Sequence, residues 1–299
     1  MTSQPPSGTA RRASDRGDRV TNDEAETTAS RFIGIDLASE AKRTGVAIIE
    51  ITGTHATAGL APVGFVADDR GLVDIVDRST VVGLDSPLGW PDDFVSAVTA
   101  HRMSARWPTF EHRSTDKIRE SLRHRTTDLF VRSLDLGSTP LSVSSDLIGV
   151  VAMRGAWLQS AWAQKWGCLE PRDGTGRLVE TYPAAALRAW DMLARRGVRY
   201  KGGGTAAQRE VQRAERERIM AEIEEQSAHW LDVSAALRAD AVESDHVLDA
   251  LVSALVALAA RVGATHRAPS ESKEAARREG WIHVPSETFD SLGKHLPLD

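Results

Sequence analysis

Cysteine is almost missing from this chain: Cys168 is the only one among 299 residues. A single thiol excludes an internal disulfide framework and a cysteine-rich zinc site, and it fits a reducing compartment. Cys168 itself reads as a small buried hydrophobe. Aromatic residues are scarce too, 5% of the chain with two tyrosines, which leaves few platforms for sequence-tolerant stacking of single strands. Excess positive charge is lacking. A net charge of -5 excludes a protein coated in basic surface, so nucleic-acid binding would require a local basic patch. Long apolar runs are absent as well. The most hydrophobic stretch, Val247 to Ala260, is interrupted by Asp249 and Ser253 and is too short to span a bilayer. Residues 1–30 contain no apolar segment of the secretory kind and read as a disordered tail. The expectation is a cytoplasmic protein with no membrane partner.

What the chain does contain is an ordinary globular mixture, 41% hydrophobic and 26% charged. Order is expected from Arg31 onward. Phe32 to Leu37 is a short apolar run ending in a polar turn, and Thr44 to Ile51 is a second such run, so the two predict an antiparallel hairpin. A weaker strand is expected around Thr57 to Val66, a short helix over Gly71 to Arg78, and a buried strand over Val81 to Asp85. Leu178 to Pro183 predicts one more strand, followed by a helix from Ala184 to Arg195. A charged helix is expected over Ala206 to Ser227, a helix capped by Ser244 over Asp245 to Ala260, and a closing edge strand over Gly280 to Pro285. Between them, about residues 92–170 read as a helical insertion, with Trp157, Trp162 and Trp166 expected in the core. The pattern predicts one α/β domain over 31–299, with a mixed sheet of five or more strands and helices on both faces.

Two segments repeat an apolar-Gly-apolar-Asp pattern, Ile33-Gly34-Ile35-Asp36 and Val82-Gly83-Leu84-Asp85. Alternate strand residues share a face, so each acid lies beside a glycine that lets something approach the sheet. A carboxylate ending a buried strand is costly unless it is paired, hydrogen-bonded or bound to metal. In the late helix, Asp245 and Asp249 are four residues apart on one face. Asp249 shares its stripe with Val252 and Val256 and should point inward. Acids from two strands and a helix, converging on one point, would hold divalent ions through hard oxygen ligands.

These residues resemble the RNase-H-like fold, in particular its Holliday-junction-resolvase-like branch. More closely, the chain is similar to a prokaryotic family of predicted RNase-H-like nucleases, domain of unknown function 429. The segments carrying the resemblance are Gly34 to Ala38, Leu84 to Gly89, Arg125 to Asp128, Val179 to Ala184, Tyr200-Lys201, Asp249 to Val252 and Glu279 to Ile282. The resemblance implies that Asp36, Asp85 and Asp249 are catalytic acids that bind metal, with Asp245 as a fourth ligand. It implies Mg²⁺ or Mn²⁺ as cofactor, nucleic acid as partner and hydrolysis of phosphodiesters, with two ions roughly 3.5–4 Å apart.

Other polar residues are candidates for contacting substrate or supporting the acids. Glu180 sits at a strand-to-helix junction, where it either faces the same crevice or accepts bonds from the following helix. Arg125 with Asp128, and the similar Arg113 with Asp116, could bind phosphate or form structural pairs; the two copies are not distinguishable from sequence. Lys201 opens a glycine-rich loop without Walker spacing and, with Arg209 and Arg213, could supply the local basic patch. The histidines show no metal-ligand spacing, which leaves surface or core roles for them. Two alternatives compete with a nuclease: a catalytically silent scaffold or binding module of the same fold, and an ATP-using kinase-like enzyme. The latter usually needs a second domain and a glycine-rich adenosine-binding segment.

Overall fold

A computed structural model of the chain describes residues 31–107, 113–193 and 199–298; the expected N-terminal tail lies outside them. Six strands form one sheet. β1 (Arg31–Asp36), β2 (Gly45–Thr52) and β3 (His55–Leu60) make an antiparallel meander, as the two apolar runs joined by a polar turn predict for the first two. β4 (Thr80–Asp85) returns parallel to β1, β5 (Leu178–Glu180) runs parallel to β4, and β6 (Leu231–Val233) joins β3 in parallel. The order is β5-β4-β1-β2-β3-β6, a mixed α/β sheet of the expected class.

Ten α-helices surround the sheet among the described residues. α1 (Asp69–Asp74) leads into β4. Between β4 and β5 lie α2 (Asp92–Ser104), α3 (Thr115–Arg123), α4 (Thr126–Ser133) and α5 (Ile148–Trp166). After β5 come α6 (Pro183–Ala189), α7 (Ala206–Ser227), α8 (Ala235–Glu243), α9 (Asp245–Arg261) and α10 (Lys273–Glu279). No helix among the described residues is long and apolar enough to cross a membrane.

The sheet buries both faces. Ile33, Ile35, Val82 and Leu84 pack against Leu158, Trp162 and Trp166 of α5. Both tryptophan rings of this face find an acceptor, Trp162 Nε1 donating to the Leu72 carbonyl (3.1 Å) and Trp166 Nε1 to that of Asp77 (2.9 Å). Trp157, expected inside with them, is half exposed on the outer side of α5; its spacing of five from Trp162 carries it off their face. On the opposite face Phe32, Ala47, Ile49 and Val81 meet α9. Every residue of α9 from Leu248 to Ala260 is buried, which accounts for a helix that is apolar nearly all round.

Glycine determines how closely α9 lies on the sheet. A Cβ placed on Gly34 would come 1.8 Å from the Ala250 carbonyl oxygen, one on Gly45 2.0 Å from that of His246, and one on Gly83 2.1 Å from that of Ser253. The space beside each strand-end acid is therefore occupied by the helix backbone itself. This is the close approach that a strand glycine permits.

Several local expectations are corrected. Residues 280–285 make only isolated bridges, Glu180 with Ile282 and Thr265 with Pro285. β5 is three residues long and offers too little edge for a full strand. Ser244 does not cap α9 with its side chain; its extended backbone divides α8 from α9. Cys168 is exposed in the turn after α5, not buried. α6 ends at Ala189, and residues 194–195 of the expected longer helix lie outside the described residues. β6 and α8 have no counterpart in the sequence reading, because a strand of three residues leaves no periodicity to detect.

Candidate metal centre and its surroundings

Parallel pairing sets Asp36 directly opposite Asp85, since β1 and β4 run in register from Arg31 against Thr80 to Asp36 against Asp85. Neighbouring strands lie about 4.8 Å apart, so the two carboxyl groups leave the sheet side by side on the face that α9 covers. Asp249 lies in the second turn of α9, lowered onto this point by Gly34 and Gly45. One carboxylate oxygen from each of Asp36, Asp85 and Asp249 lies within 4.8 Å of the others. The three strand and helix acids expected to converge do so.

Three acids this close repel one another, and burial sharpens the effect. Burial, followed by the charge of Asp36, drives the Asp85 carboxyl well above the usual carboxylate range. Asp249 is also raised, by burial and then by Asp36, although Lys201 works against the rise. Asp249 is 2% exposed and accepts from Tyr200 Oη at 2.7 Å and from Lys201 Nζ at 2.6 Å. Burial opposes the charge on Lys201, yet Asp249, Tyr200 and Asp85 together hold its pKa well above the ordinary lysine value. On the other side, His246 Nδ1 lies 2.5 Å from Asp36 Oδ2. That hydrogen bond raises the imidazole pKa against the opposing effect of burial.

Asp245 is not part of this convergence. It lies one helical turn, about 5.4 Å, before Asp249, and its carboxylate instead accepts from the Gly202 backbone N–H at 3.2 Å. That bond fastens the loop carrying Lys201. A second anchor comes from α7, where buried Arg216 donates to the carbonyls of Tyr200 (2.7 Å), Val242 (2.8 Å) and Glu243 (3.2 Å). Arg216 therefore does not belong to the solvated face that the charge pattern of α7 suggests. The expected basic patch does not assemble either. Lys201 is committed to Asp249, Arg209 bonds the Gly204 carbonyl, and Arg213 pairs with Glu243 and Glu217.

Arg125, Asp128 and Glu180 form a separate network, almost wholly buried. Arg125 donates through Nη2 to Glu180 Oε1 (2.7 Å) and Asp128 Oδ1 (2.8 Å), and through Nη1 to Glu180 Oε2 (2.8 Å) and the Glu279 carbonyl (3.1 Å). The Leu88 N–H completes Glu180 at 3.1 Å. Burial disfavours the guanidinium charge, but Glu180 and Asp128 outweigh it and hold the Arg125 pKa above its usual value. With their polar atoms engaged inside the protein, these residues offer no free contact to a phosphate. They join α4 to β5, to the loop after β4 and to the end of α10. Of the two similar Arg-Asp segments, Arg113 is the one at the surface, donating to Asp93 at 2.5 Å, while Asp116 is exposed near Arg119.

Tyr200 and His246 were not singled out by sequence reasoning as contacts of the acids. For His246 a signal existed: it lies three residues before Asp249, on the same helix side. The Tyr200 contact depends on a loop fold that no local pattern encodes.

A family model described as a protein of unknown function (DUF429) matches residues 34–274. No curated protein and no solved structure matches the chain.

Proposed function

The chain belongs to the DUF429 family, and from its strand-end acids we propose a divalent-metal-dependent nuclease that hydrolyses phosphodiester bonds of DNA or RNA. The observation that carries this reading is the convergence of Asp36, Asp85 and Asp249 within 4.8 Å. Its RNase-H-like resemblance supports it: an antiparallel meander, a parallel fourth strand, and acids at the ends of the first and fourth strands.

The residues present suit a hard divalent ion. All three candidate ligands are carboxylates, as Mg²⁺ or Mn²⁺ prefer, and among the described residues no cysteine or histidine joins them in a zinc-like set. Burial and then the neighbouring acid charges raise the pKa values of Asp85 and Asp249, and Lys201 offsets this only in part, so a bound cation would relieve the repulsion among the acids. Each carboxylate oxygen has two lone-pair directions, so the bonds from Tyr200 and Lys201 leave Asp249 further acceptor capacity. When bound, the metal would activate water and stabilise the leaving oxygen. The protein's own contribution is positioning. Asp36 and Asp85 are fixed by strand register, Asp249 is fixed by Tyr200 and Lys201, and His246 orients Asp36.

The test is cleavage of a wide panel of structured and single-stranded DNA and RNA with Mg²⁺ or Mn²⁺ present. Cleavage should require metal and disappear in Asp36→Asn and Asp249→Asn. A panel left uncut by wild-type protein would replace the nuclease with a binding role, and ATP turnover without nucleic acid would favour a kinase-like enzyme.

A further inference from the structure

At the other end of the sheet lies a partly open cavity of about 320 Å³, within the size range of small-ligand sites. Val81 and Val179 form part of its floor. Val81 is four residues before Asp85, so the cavity opens about 13 Å along β4 from the acid cluster, at 3.3 Å per residue. Four cations line it: Arg261 at the end of α9, Arg267 in the following loop, and Lys273 and Arg277 of α10. The single acid in the lining is Asp173.

Most of this positive charge is unpaired. Among the described residues, the side chains of Arg261, Arg267 and Lys273 make no hydrogen bond or ion pair. Only Arg277 is engaged, with Asp173 at 3.4 Å and Glu274 at 3.0 Å. Three cations without an acidic partner among the described residues therefore surround one hollow. Like charges crowded around a small concavity repel one another and favour an anion between them.

The wall is built, not incidental. Asp173 accepts from the Thr175 N–H (3.1 Å) and hydroxyl (2.6 Å), closing a tight turn. Gly174 has φ +74° and lies so close to the His283 ring that a Cβ there would come 1.9 Å from Nε2. Buried His283 bonds Thr265 Oγ1 at 2.8 Å and the Asp173 carbonyl at 3.1 Å, so the ring braces the turn. Burial pushes the His283 pKa down to about 4, which leaves the cavity charge to the arginines and the lysine.

We infer that this cavity binds a small phosphorylated anion, of the size of pyrophosphate or a nucleoside monophosphate, held by Arg261, Arg267, Lys273 and Arg277. Guanidinium groups match phosphate oxygens in pairs, and lysine adds a point charge. The aliphatic floor suits an uncharged remainder of the ligand. This inference does not depend on the nuclease reading.

The test is calorimetric titration of the full chain in EDTA, which silences any metal-dependent event at the acid cluster. Probes are pyrophosphate, AMP and a 5′-phosphorylated oligonucleotide, against chloride of equal ionic strength. Pyrophosphate or AMP should bind saturably to wild type and to Asp36→Asn alike. The double variant Arg267→Glu/Lys273→Glu, both positions exposed, should weaken binding at least tenfold, whereas Arg102→Glu on α2 should leave it unchanged. Absence of saturable binding to wild type, or equal affinity in the double variant and the Arg102→Glu control, would overturn the site. Preferential binding of the oligonucleotide over AMP would overturn the small-molecule assignment.

Discussion

Replacing Gly34 by alanine tests how the acid cluster is assembled. The added Cβ would stand 1.8 Å from the Ala250 carbonyl oxygen and 2.4 Å from the Ala254 nitrogen, both backbone atoms of α9. Ordinary contact begins near 3.4 Å, so helix and strand must separate by about 1.6 Å on the scale of that contact. Overpacking of this kind costs about 1–3 kcal/mol, and the two contacts here are with backbone, which has no rotamer to yield. At about 2–4 °C per kcal/mol for chains of roughly this size, the melting temperature should fall by about 2–12 °C. The control is Gly59→Ala on β3, where a Cβ meets nothing within 4 Å. There the substitution should be neutral or stabilising by up to about 1 kcal/mol, because alanine loses less backbone freedom on folding. Thermal melts of both variants give the comparison. Because Asp249 moves with α9, calorimetric Mn²⁺ binding should also weaken in Gly34→Ala and not in Gly59→Ala. Equal melting temperatures for the two variants would refute the account of α9 seated on bare strand backbone.

Lys201→Met removes the cation that partly offsets the acids. Metal-free stability should fall by about 1–2 kcal/mol, a modest value because Lys201 is 38% exposed, and Mg²⁺ should restore more stability to the variant than to wild type in urea titrations; an equal Mg²⁺ effect on both would refute the charge argument. Arg125→Met leaves Glu180 and Asp128 buried without their partner and should cost about 3–5 kcal/mol by denaturant unfolding, and a loss below about 1 kcal/mol would show that the network contributes little. His283 predicts a pH dependence. Its pKa is about 4 in the folded protein against 6.5 unperturbed, so the unfolded chain binds more protons between those values. Stability should be unaffected by this group above pH 6.5 and decline by about 3 kcal/mol as pH falls to 4. His283→Gln should flatten that part of the curve, and an unchanged slope would contradict the burial of a neutral imidazole.

Much of the centre was legible because its chemistry is local. Asp36 and Asp85 end apolar runs whose length and content specify buried strands, and Asp249 interrupts a helix that is otherwise apolar. In each case a charge stands where burial is costly, and that mismatch is visible without coordinates. The glycines were visible too, but what approaches them was not: no strand pattern says that the backbone of α9 is the neighbour. The burial of Arg125 and Arg216 was not legible in sequence, because carboxylates or carbonyls from distant segments converge on each. Helix periodicity puts Asp245 on one face with Asp249, and the resemblance implied it as a fourth ligand, but periodicity fixes a face and not the depth along the axis at which the sheet acids lie.

The position of α9 has a consequence for both ends of the sheet. The helix carries Asp245 in its first turn and Arg261 in its last, the arrangement that complements its own dipole. Its N-terminal end reaches the strand-end acids, where the positive end of the dipole eases the crowding of Asp36 and Asp249. Its C-terminal end delivers Arg261 to the basic cavity, beside the carbonyls that make that end negative. A helix buried from Leu248 to Ala260 between two opposite charge clusters is a rigid spacer, since its packed residues leave no room for it to slide. Gly83 lies under the middle of α9, facing Ser253. Gly83→Ala should therefore lift the helix near its centre and weaken Mn²⁺ binding at one end and pyrophosphate binding at the other, whereas Gly34→Ala, nearer Asp249, should affect the metal end more strongly. Titrating both variants with both probes measures the difference, and loss confined to one end in Gly83→Ala would show that α9 bends instead of moving as a unit.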